Sequence, residues 1–400
     1  MSFADRFNSF FDRRKRRKLL AELRTLRHAE DDLLDDVKRR EFDALLENLA
    51  CSPAPHREAM AAARGRLGKL DLGIRHPALR EFLDLLLVVG AVAAGIRGLF
   101  LQPFRIPTGS MQPTLYGIHY QYKSGTWRDK LPAQLQFAIF GRRRAAARVT
   151  ESGLLDLESI RPSGGVFTSD TSFRIGSREY TLPGEPGKVI EYVELDPERL
   201  YPKGYSLADG FLTIGDHLFV ERLSLYLRPP RRGDVTVFNT EGLEVQGRKL
   251  SELSGYYYIK RLVGLPGDTL VIRDGRLFIR PKGESEFKPA DELDPRFKKI
   301  FSGKGGYQGY RNDPRAPLLG EGEEYVVPDD HYFMLGDNSR FSLDGRFFGS
   351  VPRRNLVGRA FLVFWPFSRR WGVADSRSPR DIPTDKEGFN RGSYRVMYGE

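Results

Sequence analysis

The 400-residue sequence contains one cysteine, Cys51, so no disulfide can form within the chain. Even a domain exported to an oxidising compartment would therefore depend on its own hydrophobic core for stability. Apolar residues are also limited, because 40% of residues are hydrophobic and the mean hydropathy is -0.44. These values exclude a protein with many membrane spans and fit one large or two ordinary soluble domains.

Histidine is scarce as well, and none of the six histidines stands in a recognisable triad context such as the G-x-S-x-G elbow. The sequence leaves open a histidine that approaches a serine only in the fold. Zinc-ligand clusters and recognition-helix signatures are not visible, so the net charge of +11 indicates an anionic lipid surface rather than nucleic acid as the partner. We expect neither a metal nor a cofactor.

Only one stretch is apolar enough to suggest a membrane span. It reads FLDLLLVVGAVAAGIRGLFL from Phe82 to Leu101, which just reaches the roughly 20 residues that a span needs. Asp84 and Arg97 lie near its two ends, and a buried core helix is the alternative. Basic residues precede the stretch more closely than they follow it, which predicts a cytosolic N-terminus.

The first 81 residues are charge-dense and are predicted to be helical. This segment is either a solvated helical extension or an amphipathic segment that lies on anionic lipid. It is not a cleavable signal peptide, because no apolar core follows the basic cluster from Arg13 to Lys18.

A candidate nucleophile lies directly after the apolar stretch, in the sequence RIPTGSMQPTL from Arg105 to Leu115. Pro107 and Pro113 fix φ on either side of Ser110, and Gly109 allows close approach of the backbone. This pattern favours a presented serine over a packed one. A serine hydroxyl becomes a good nucleophile only when a neighbouring base takes its proton.

The candidate base is Lys260, in the strand-like sequence YYYIKRLVGLPGD that starts at Tyr256. A period of two places Lys260 on the same face as Tyr258 and Leu262. Burial can lower the pKa of a lysine by roughly 3–5 units, enough to give a neutral amine near neutral pH. Ser110 and Lys260 would then form the serine–lysine variant of nucleophilic catalysis.

The second half of the chain is predicted to be mostly β. Short apolar runs alternate with Gly, Pro and Asp, and Asp274-Gly275 is typical of a hairpin turn. The expected strands are 216–223, 234–239, 256–263, 269–273, 276–280, 325–327, 332–335 and 360–364. Between them, the charged and glycine-rich range 285–322 is expected to be a mobile insertion.

The range 116–208 gives weaker signals. Runs at 173–182 and 188–195 are strand-like, and the basic triplet 142–144 is expected in an ordinary solvated loop, with contact to lipid headgroups as the alternative.

The sequence resembles the type I signal peptidases, the bacterial leader peptidase family with a serine–lysine dyad. Four of its blocks match the family in order, namely FRIPTGSMQPTL from Phe104, GDHLFVER from Gly215, YIKRLVGLPGD from Tyr258 and GDNSRFSLDGRFFG from Gly336. The resemblance implies a mostly-β, signal-peptidase-like catalytic domain after one N-terminal transmembrane helix.

The resemblance also implies a domain order. We expect a charged, helical cytosolic extension at 1–81, a transmembrane helix at 82–102, a β-rich catalytic domain at 103–374 and a polar tail at 375–400. The catalytic domain would carry insertions near 120–208 and 285–322.

The implied activity is that of a membrane-anchored serine endopeptidase, which cleaves signal peptides from secreted preproteins after Ala-x-Ala-like sites. Ser110 would be the nucleophile and Lys260 the general base. The expected location is the bacterial cytoplasmic (inner) membrane, crossed once, with the catalytic domain on the outer face. The expected partners are signal peptides, the lipid bilayer and a nearby secretion translocon, but not nucleic acid.

The resemblance assigns further residues to roles around the dyad. Thr108 and the Ser110 N–H match the donors to the oxyanion, and Ser342 matches a serine that orients the lysine. Four charged residues would brace the site, namely Arg261, Asp337, Asp344 and Arg346. The substrate pocket would be lined by Phe104, Ile106, Met111, Leu115, Tyr258 and Ile259. Gly345 and Ser339 depart from the family pattern, which has a serine and an arginine there.

Four alternatives remain at this point. Ordinary core packing is an equal explanation for some pocket residues. A β-lactamase-type hydrolase would need a lysine three residues after the serine, where Pro113 stands. A self-cleaving repressor-like protease would need a DNA-binding domain. A catalytically inactive, membrane-anchored binding protein of the same fold is the non-enzymatic alternative.

Overall fold

The computed structural model describes residues 3–29, 31, 34–52, 56–67, 77–165, 169–254 and 256–376. The chain forms two compact units, Met1–Val92 and Ala93–Glu400. Most of the predicted polar tail, 377–400, lies outside the described residues.

The described helices are short except for the first four. In chain order they are α1 (Phe3–Ala29), α2 (Asp36–Cys51), α3 (His56–Leu67), α4 (Pro77–Leu99), α5 (Ala133–Phe140), α6 (Pro186–Val193), α7 (Leu223–Leu227), α8 (Leu250–Ser254), α9 (Ala290–Leu293) and α10 (Gly345–Phe348). Single 3-10 turns cover Trp127–Lys130, Pro295–Phe297, Ser339–Phe341 and Arg353–Asn355.

Twenty described strands follow α4. In chain order they are β1 (Leu101–Arg105), β2 (Tyr120–Tyr122), β3 (Arg142–Arg148), β4 (Leu155–Pro162), β5 (Asp170–Ile175), β6 (Arg178–Pro183), β7 (Ser206–Thr213), β8 (His217–Glu221), β9 (Val235–Asn239), β10 (Glu244–Val245), β11 (Arg248–Lys249), β12 (Tyr257–Gly264), β13 (Thr269–Arg273), β14 (Arg276–Arg280), β15 (Lys288–Pro289), β16 (Tyr325–Val326), β17 (His331–Leu335), β18 (Val351–Pro352), β19 (Leu356–Trp365) and β20 (Gly372–Val373).

In the N-terminal unit, α1, α2 and α3 pack their apolar faces into one core. Leu23 of α1 is buried with Phe42 and Leu49 of α2. Arg16 of α1 is also buried, and its Nε donates to Leu49 O at 2.7 Å. The described apolar side chains in the second half of α1 are therefore packed against protein.

The main sheet of the second unit contains the elements that position the site. Its antiparallel order is β1-β8-β19-β9-β12-β17-β18, with β20 on β19. β1 pairs with β8, so that Phe104 faces Leu218, and β12 pairs with β9, so that Lys260 faces Thr236. The mostly-β prediction is confirmed. By length and hydropathy, no helix in the described part of the chain qualifies for a membrane crossing.

The range that was expected to be a mobile insertion, 285–322, instead contributes to a core. Phe297, Ile300 and Tyr310 are fully buried together with Leu270 and Ile279 from β13 and β14. The three side chains bury apolar surface that holds the range against the sheet, although its overall composition is charged and rich in glycine. The expectation of mobility is therefore wrong for this range.

The range between Ser110 and β8 folds into a lobe with its own core, made by the sheets β2-β7-β3 and β4-β5-β6. Two expectations fail here. Residues 188–195 fall largely in α6 rather than a strand, because Pro186 starts the helix and Val189 and Val193, one turn apart, are both buried. The basic triplet 142–144 begins β3, which pairs with β7, and is therefore not a loop.

Candidate active site

Ser110 lies in the loop between β1 and β2. The loop is fixed at its start by a hydrogen bond from Ile106 N to Asp216 O (2.9 Å) and inside by one from Gln112 N to Gly109 O (3.0 Å). Ser110 is 6% exposed. The prolines and glycine that flank it hold the chain in a compact turn, as the sequence suggested.

Lys260 reaches Ser110 from the sheet. Its Nζ lies 2.6 Å from Ser110 Oγ, which is hydrogen-bond distance. The lysine is only 3% exposed, and its Nζ also lies 4.9 Å from the centre of the Tyr258 ring. The structure therefore brings together the two residues that carry the sequence hypothesis, although 150 positions separate them in the chain.

The environment of Lys260 favours the uncharged amine. Burial lowers the pKa of Lys260 from 10.5 to about 8, because removing an ammonium group from water is costly. Asp344 and Asp337 oppose this shift, whereas Arg346 adds to it. A substantial fraction of the amine is thus neutral at mildly alkaline pH, where it can accept the proton of Ser110.

The segment after β17 holds the backbone of the serine loop. Asn338 N donates to Ser110 O, and Asn338 Nδ2 donates to Gly109 O, both at 3.0 Å. Gly336 also adjoins this backbone, since a Cβ added to it would lie 2.6 Å from Ser110 O. A side chain at position 336 would therefore displace the serine loop.

An ion-pair network lies beneath the strand that carries Lys260. Arg261 is fully buried and binds Asp337 through Nε (2.8 Å) and Nη2 (2.6 Å). The same guanidinium binds Asp375 through two further bonds of 2.8 and 2.9 Å. Lys299 pairs with Asp375, and Thr114 contacts Asp337. Arg261 thus links the serine loop to the end of the described chain.

A second buried ion pair, between Arg346 and Asp344, lies in the segment that follows β17. Arg346 binds Asp344 through Nε (2.8 Å) and Nη2 (2.9 Å), and Asp344 accepts from Gly336 N at 3.0 Å. Ser339 Oγ accepts from Arg346 Nη1 at 3.1 Å, so this departure from the family pattern takes part in the brace. The other departure, Gly345, has no room for a side chain, because an added Cβ would lie 2.8 Å from the Phe333 ring.

The predicted role of Ser342 lacks the contact that it requires. Ser342 is 1% exposed, yet its Oγ has no hydrogen-bond partner in the described part of the chain, and Lys260 is not bonded to it. Its hydroxyl lies instead beside Gly336, 2.1 Å from the position of an added Cβ. The side-chain amide of Gln112 is buried and unpartnered in the same way, close to Gly109.

The two predicted oxyanion donors are unengaged. Neither the Ser110 N–H nor the Thr108 hydroxyl donates to another residue that the structure describes. Thr108 is half-buried, and its backbone packs against Gly117. Both groups therefore retain their hydrogen-bonding capacity for another molecule.

The predicted pocket residues divide into two groups. Met111 and Leu115 are fully buried, and Ile106 and Ile259 are nearly so, in one apolar cluster beside the strands that carry the site. Phe104 and Tyr258 are half-buried, and Phe104 meets Tyr257 edge-on with ring centres 5.3 Å apart. The first group lies within the apolar core, whereas the last two side chains keep exposed surface.

Sequence reasoning missed several members of the network. Tyr307 OH lies 2.8 Å from Thr114 Oγ1, and Tyr310 OH donates to Asp337 at 3.3 Å. Both tyrosines belong to the range that was expected to be mobile, and Asp375 is the first residue of the expected tail. The aromatic residues that recur among the glycines of this range were the sequence signal from which the burial of the two tyrosines could have been predicted.

A buried amine in contact with a serine hydroxyl can support nucleophilic acyl transfer without a metal. Within the described ranges, no group of three or more His, Cys, Asp or Glu residues is arranged to hold a metal ion.

Comparison with known proteins gives consistent matches. A family model described as signal peptidase, peptidase S26, matches residues 201–365, a range that includes Lys260 but not Ser110. The signal peptidase I of Leptolyngbya laminosa is 38% identical over 159 residues, which cover 40% of this chain and 64% of that protein. The chain thus spans less than two thirds of that relative's length.

Two further proteins extend the comparison. A probable signal peptidase I-1 from Synechocystis sp. is 32% identical over 166 residues, which cover 40% of this chain and 68% of that protein. A solved signal peptidase I from Enterococcus faecalis V583 is 28% identical and covers 33% of this chain and 97% of that chain. Its TM-score of 0.22 is too low to support an argument about the fold.

The second unit is a mostly-β domain of the signal-peptidase type. Because the probable signal peptidase I-1 from Synechocystis sp. is 32% identical to this chain, and the match covers 68% of that protein, the chain belongs to the signal peptidase I family, peptidase S26. The resemblance that the four sequence blocks indicated is therefore confirmed.

Proposed function

We propose that the chain is a membrane-anchored serine endopeptidase that removes signal peptides from secreted preproteins after Ala-x-Ala-like sites. The observation that carries this proposal is the 2.6 Å contact between Lys260 Nζ and Ser110 Oγ in a water-poor environment. Family membership supports the same reaction class.

In the proposed reaction, neutral Lys260 takes the hydroxyl proton as Ser110 Oγ attacks the scissile carbonyl carbon. The resulting ammonium group then protonates the leaving amine as the C–N bond breaks, which leaves an acyl ester on Ser110. Water that gives a proton to Lys260 then attacks the ester carbonyl carbon. The Lys260 ammonium group passes this proton to Ser110 Oγ as the ester C–O bond breaks, which releases the carboxylic acid and restores the serine hydroxyl and the neutral amine.

The oxyanion that forms in each tetrahedral intermediate would be bound by the Ser110 N–H and the Thr108 hydroxyl. Their lack of partners among the described residues supports this assignment. The loss of one such donor typically lowers kcat about 10²–10³-fold.

The small apolar residues of the cleavage site would bind beside Phe104 and Tyr258. Ile106 and Ile259 would form the walls of shallow pockets, and the buried Met111 and Leu115 would close their floor. Shallow apolar pockets exclude large side chains, which agrees with an Ala-x-Ala preference.

We propose that α4 anchors the protein in the bacterial cytoplasmic membrane, with the N-terminus in the cytosol and the catalytic domain outside, close to the secretion translocon. Side chains such as Leu85 (62%), Leu87 (69%) and Val89 (57%) are widely exposed along this helix, and lipid would cover them. An alkaline carbonate wash of membranes would test the anchor. We expect the full chain to stay in the membrane fraction and a variant without α4 to be released.

The experiment that tests the activity incubates the detergent-solubilised full chain with a preprotein that carries an Ala-x-Ala site. We expect a cut after the second alanine, and no cut by Ser110→Ala or Lys260→Ala. Ser206→Ala and Lys203→Ala are matched controls, because both residues are exposed and lie outside the site. Cleavage retained by either site variant would refute the dyad, and binding without cleavage would favour the inactive binding protein.

A further inference from the structure

A cavity of about 600 Å³ lies in the second unit and contains none of the predicted site residues. Its walls come from the loop after β2, the start of β3 and the segment that follows β19. Four arginines line it, namely Arg128, Arg142, Arg369 and Arg370. Arg142 is buried and Arg370 is half-buried, whereas Arg128 and Arg369 are exposed at the mouth of the cavity.

Acidic side chains of the protein neutralise only two of the four arginines. Arg370 is neutralised by Asp216, with bonds of 2.7 and 3.0 Å, and Arg142 binds Asp129 at 3.1 Å. In contrast, the guanidinium groups of Arg128 and Arg369 make no hydrogen bond or ion pair with any residue in the described part of the chain. Two positive charges at the cavity therefore lack a counter-charge there.

The unpaired Arg128 is also held close to another cation. Its Cζ lies 5.5 Å from the centre of the Phe140 ring, and Arg142 Cζ lies 5.2 Å from the same centre. Burial lowers the pKa of Arg142, Asp129 opposes that shift and Arg128 adds to it. The two guanidinium groups thus repel each other, and a bound anion would relieve the repulsion.

The other polar groups of the cavity do not oppose an anion. Both oxygens of the Asp216 carboxylate are already bound by Arg370. Burial lowers the pKa of His119 to about 4, so its ring is neutral at physiological pH. The Ser368 hydroxyl accepts from Arg370 N at 3.2 Å and keeps its own proton to donate.

We propose that this cavity binds a phosphate group, held by the guanidinium groups of Arg128 and Arg369 and by the Ser368 hydroxyl. Planar guanidinium groups match phosphate oxygens in pairs, which makes arginine the preferred residue for phosphate recognition. Trp127 (66% exposed) and Phe367 (53% exposed) also line the cavity. They would contact an apolar part of the ligand if the phosphate belongs to a lipid headgroup.

The test titrates the full chain, held in an uncharged sugar detergent, with inorganic phosphate at constant ionic strength. Binding is followed through tryptophan fluorescence and the thermal midpoint. A parallel titration replaces part of the detergent with phosphatidylglycerol. Arg128→Gln/Arg369→Gln is the test variant, and Arg354→Gln, an exposed arginine without a partner in the described ranges, is the matched control.

We expect saturable binding by the wild type and the control, weakened roughly ten-fold or more in the double variant, because charge-assisted bonds to phosphate are lost. Saturation by inorganic phosphate identifies a free anion, and saturation by phosphatidylglycerol alone identifies a headgroup. The absence of saturable binding in both titrations, or equal affinity in the double variant, would overturn the proposal. Because the removed guanidinium groups make no ion pair and Arg128 repels Arg142, the variant without ligand should unfold at or slightly above the wild-type temperature, which separates lost binding from lost structure.

Discussion

Asn338 holds the backbone of Ser110, through a bond from its N–H to Ser110 O and one from its side-chain amide to Gly109 O, both at 3.0 Å. The proposed nucleophile is thereby tied to the segment after β17, while its hydroxyl is met by Lys260 from β12. The position of the hydroxyl thus depends on a residue that would itself take no part in the reaction.

Asn338→Ala should therefore lower kcat for preprotein cleavage by about ten-fold or more, because small displacements of a reacting group are costly. It should also lower the free energy of unfolding by about 1 kcal/mol, the typical value of one hydrogen bond. Asn355→Ala is the control, since its side chain also donates only to backbone carbonyls, those of Asn239 and Glu241, whereas the Asn338 side chain donates to Gly109 O alone. An equal loss of kcat in both variants would contradict a positioning role for Asn338.

The pH dependence of cleavage should follow the ionisation of Lys260. With its pKa lowered to about 8, the amine is protonated and inactive as a base at lower pH, so kcat/KM should rise through pH 8 with the slope of one proton. At pH 6 the rate should be about 100-fold below its alkaline plateau. A profile that is flat between pH 6 and pH 9, measured on a substrate without titrating groups, would exclude an amine base.

The same pKa predicts an effect on stability. Between pH 8 and pH 10.5 the unfolded chain binds a proton at Lys260 that the folded chain does not, so the burial of this lysine destabilises the fold most below pH 8. Lys260→Met should raise the free energy of unfolding by about 3 kcal/mol at pH 7, and this gain should disappear above pH 10.5. Urea unfolding of both proteins at the two pH values provides the measurement.

A gain that is independent of pH would mean that packing, not the charge, explains it. Lys203→Met, at an exposed position, is the control and should leave the free energy of unfolding unchanged at both pH values.

The parts of the fold that were predictable from sequence are those fixed by local patterns. Asp274-Gly275 marks the turn between β13 and β14, whose bounds match the predicted runs, because a two-residue turn and its alternating neighbours are local signals. α6 was misread because eight residues with Val189 and Val193 also fit a strand pattern, and only packing distinguishes the two.

The site residues that were predictable from sequence are those that lie in the four blocks shared with the family. Ser110 and Lys260 are 150 positions apart, so the strand period could suggest Lys260 as a buried base but could not by itself bring it to Ser110, and the resemblance supported the pairing. Asp375 and Tyr310 lie in segments whose composition suggested a tail and a loop. Their bonds to Arg261 and Asp337 depend on long-range packing, which single-sequence patterns do not contain.

Gln112 offers the sharpest test of whether a buried group near Ser110 serves stability or function. Both polar atoms of its side-chain amide are buried without a partner in the described part of the chain, which costs about 1–3 kcal/mol. Gln112→Met keeps the length of the side chain and removes the amide, so we expect a higher free energy of unfolding by that amount, measured by urea unfolding.

Gln136→Met should have the opposite effect, because the Gln136 amide donates to Leu131 O at 3.3 Å and accepts from Arg142 Nε at 2.6 Å. If Gln112→Met destabilises the protein as much as Gln136→Met does, the Gln112 amide has partners that contradict its isolation. If it stabilises the protein but lowers kcat for preprotein cleavage, the amide forms its bonds only when substrate is present. Unchanged kcat with a gain in stability would show that the Gln112 amide is not needed for the reaction.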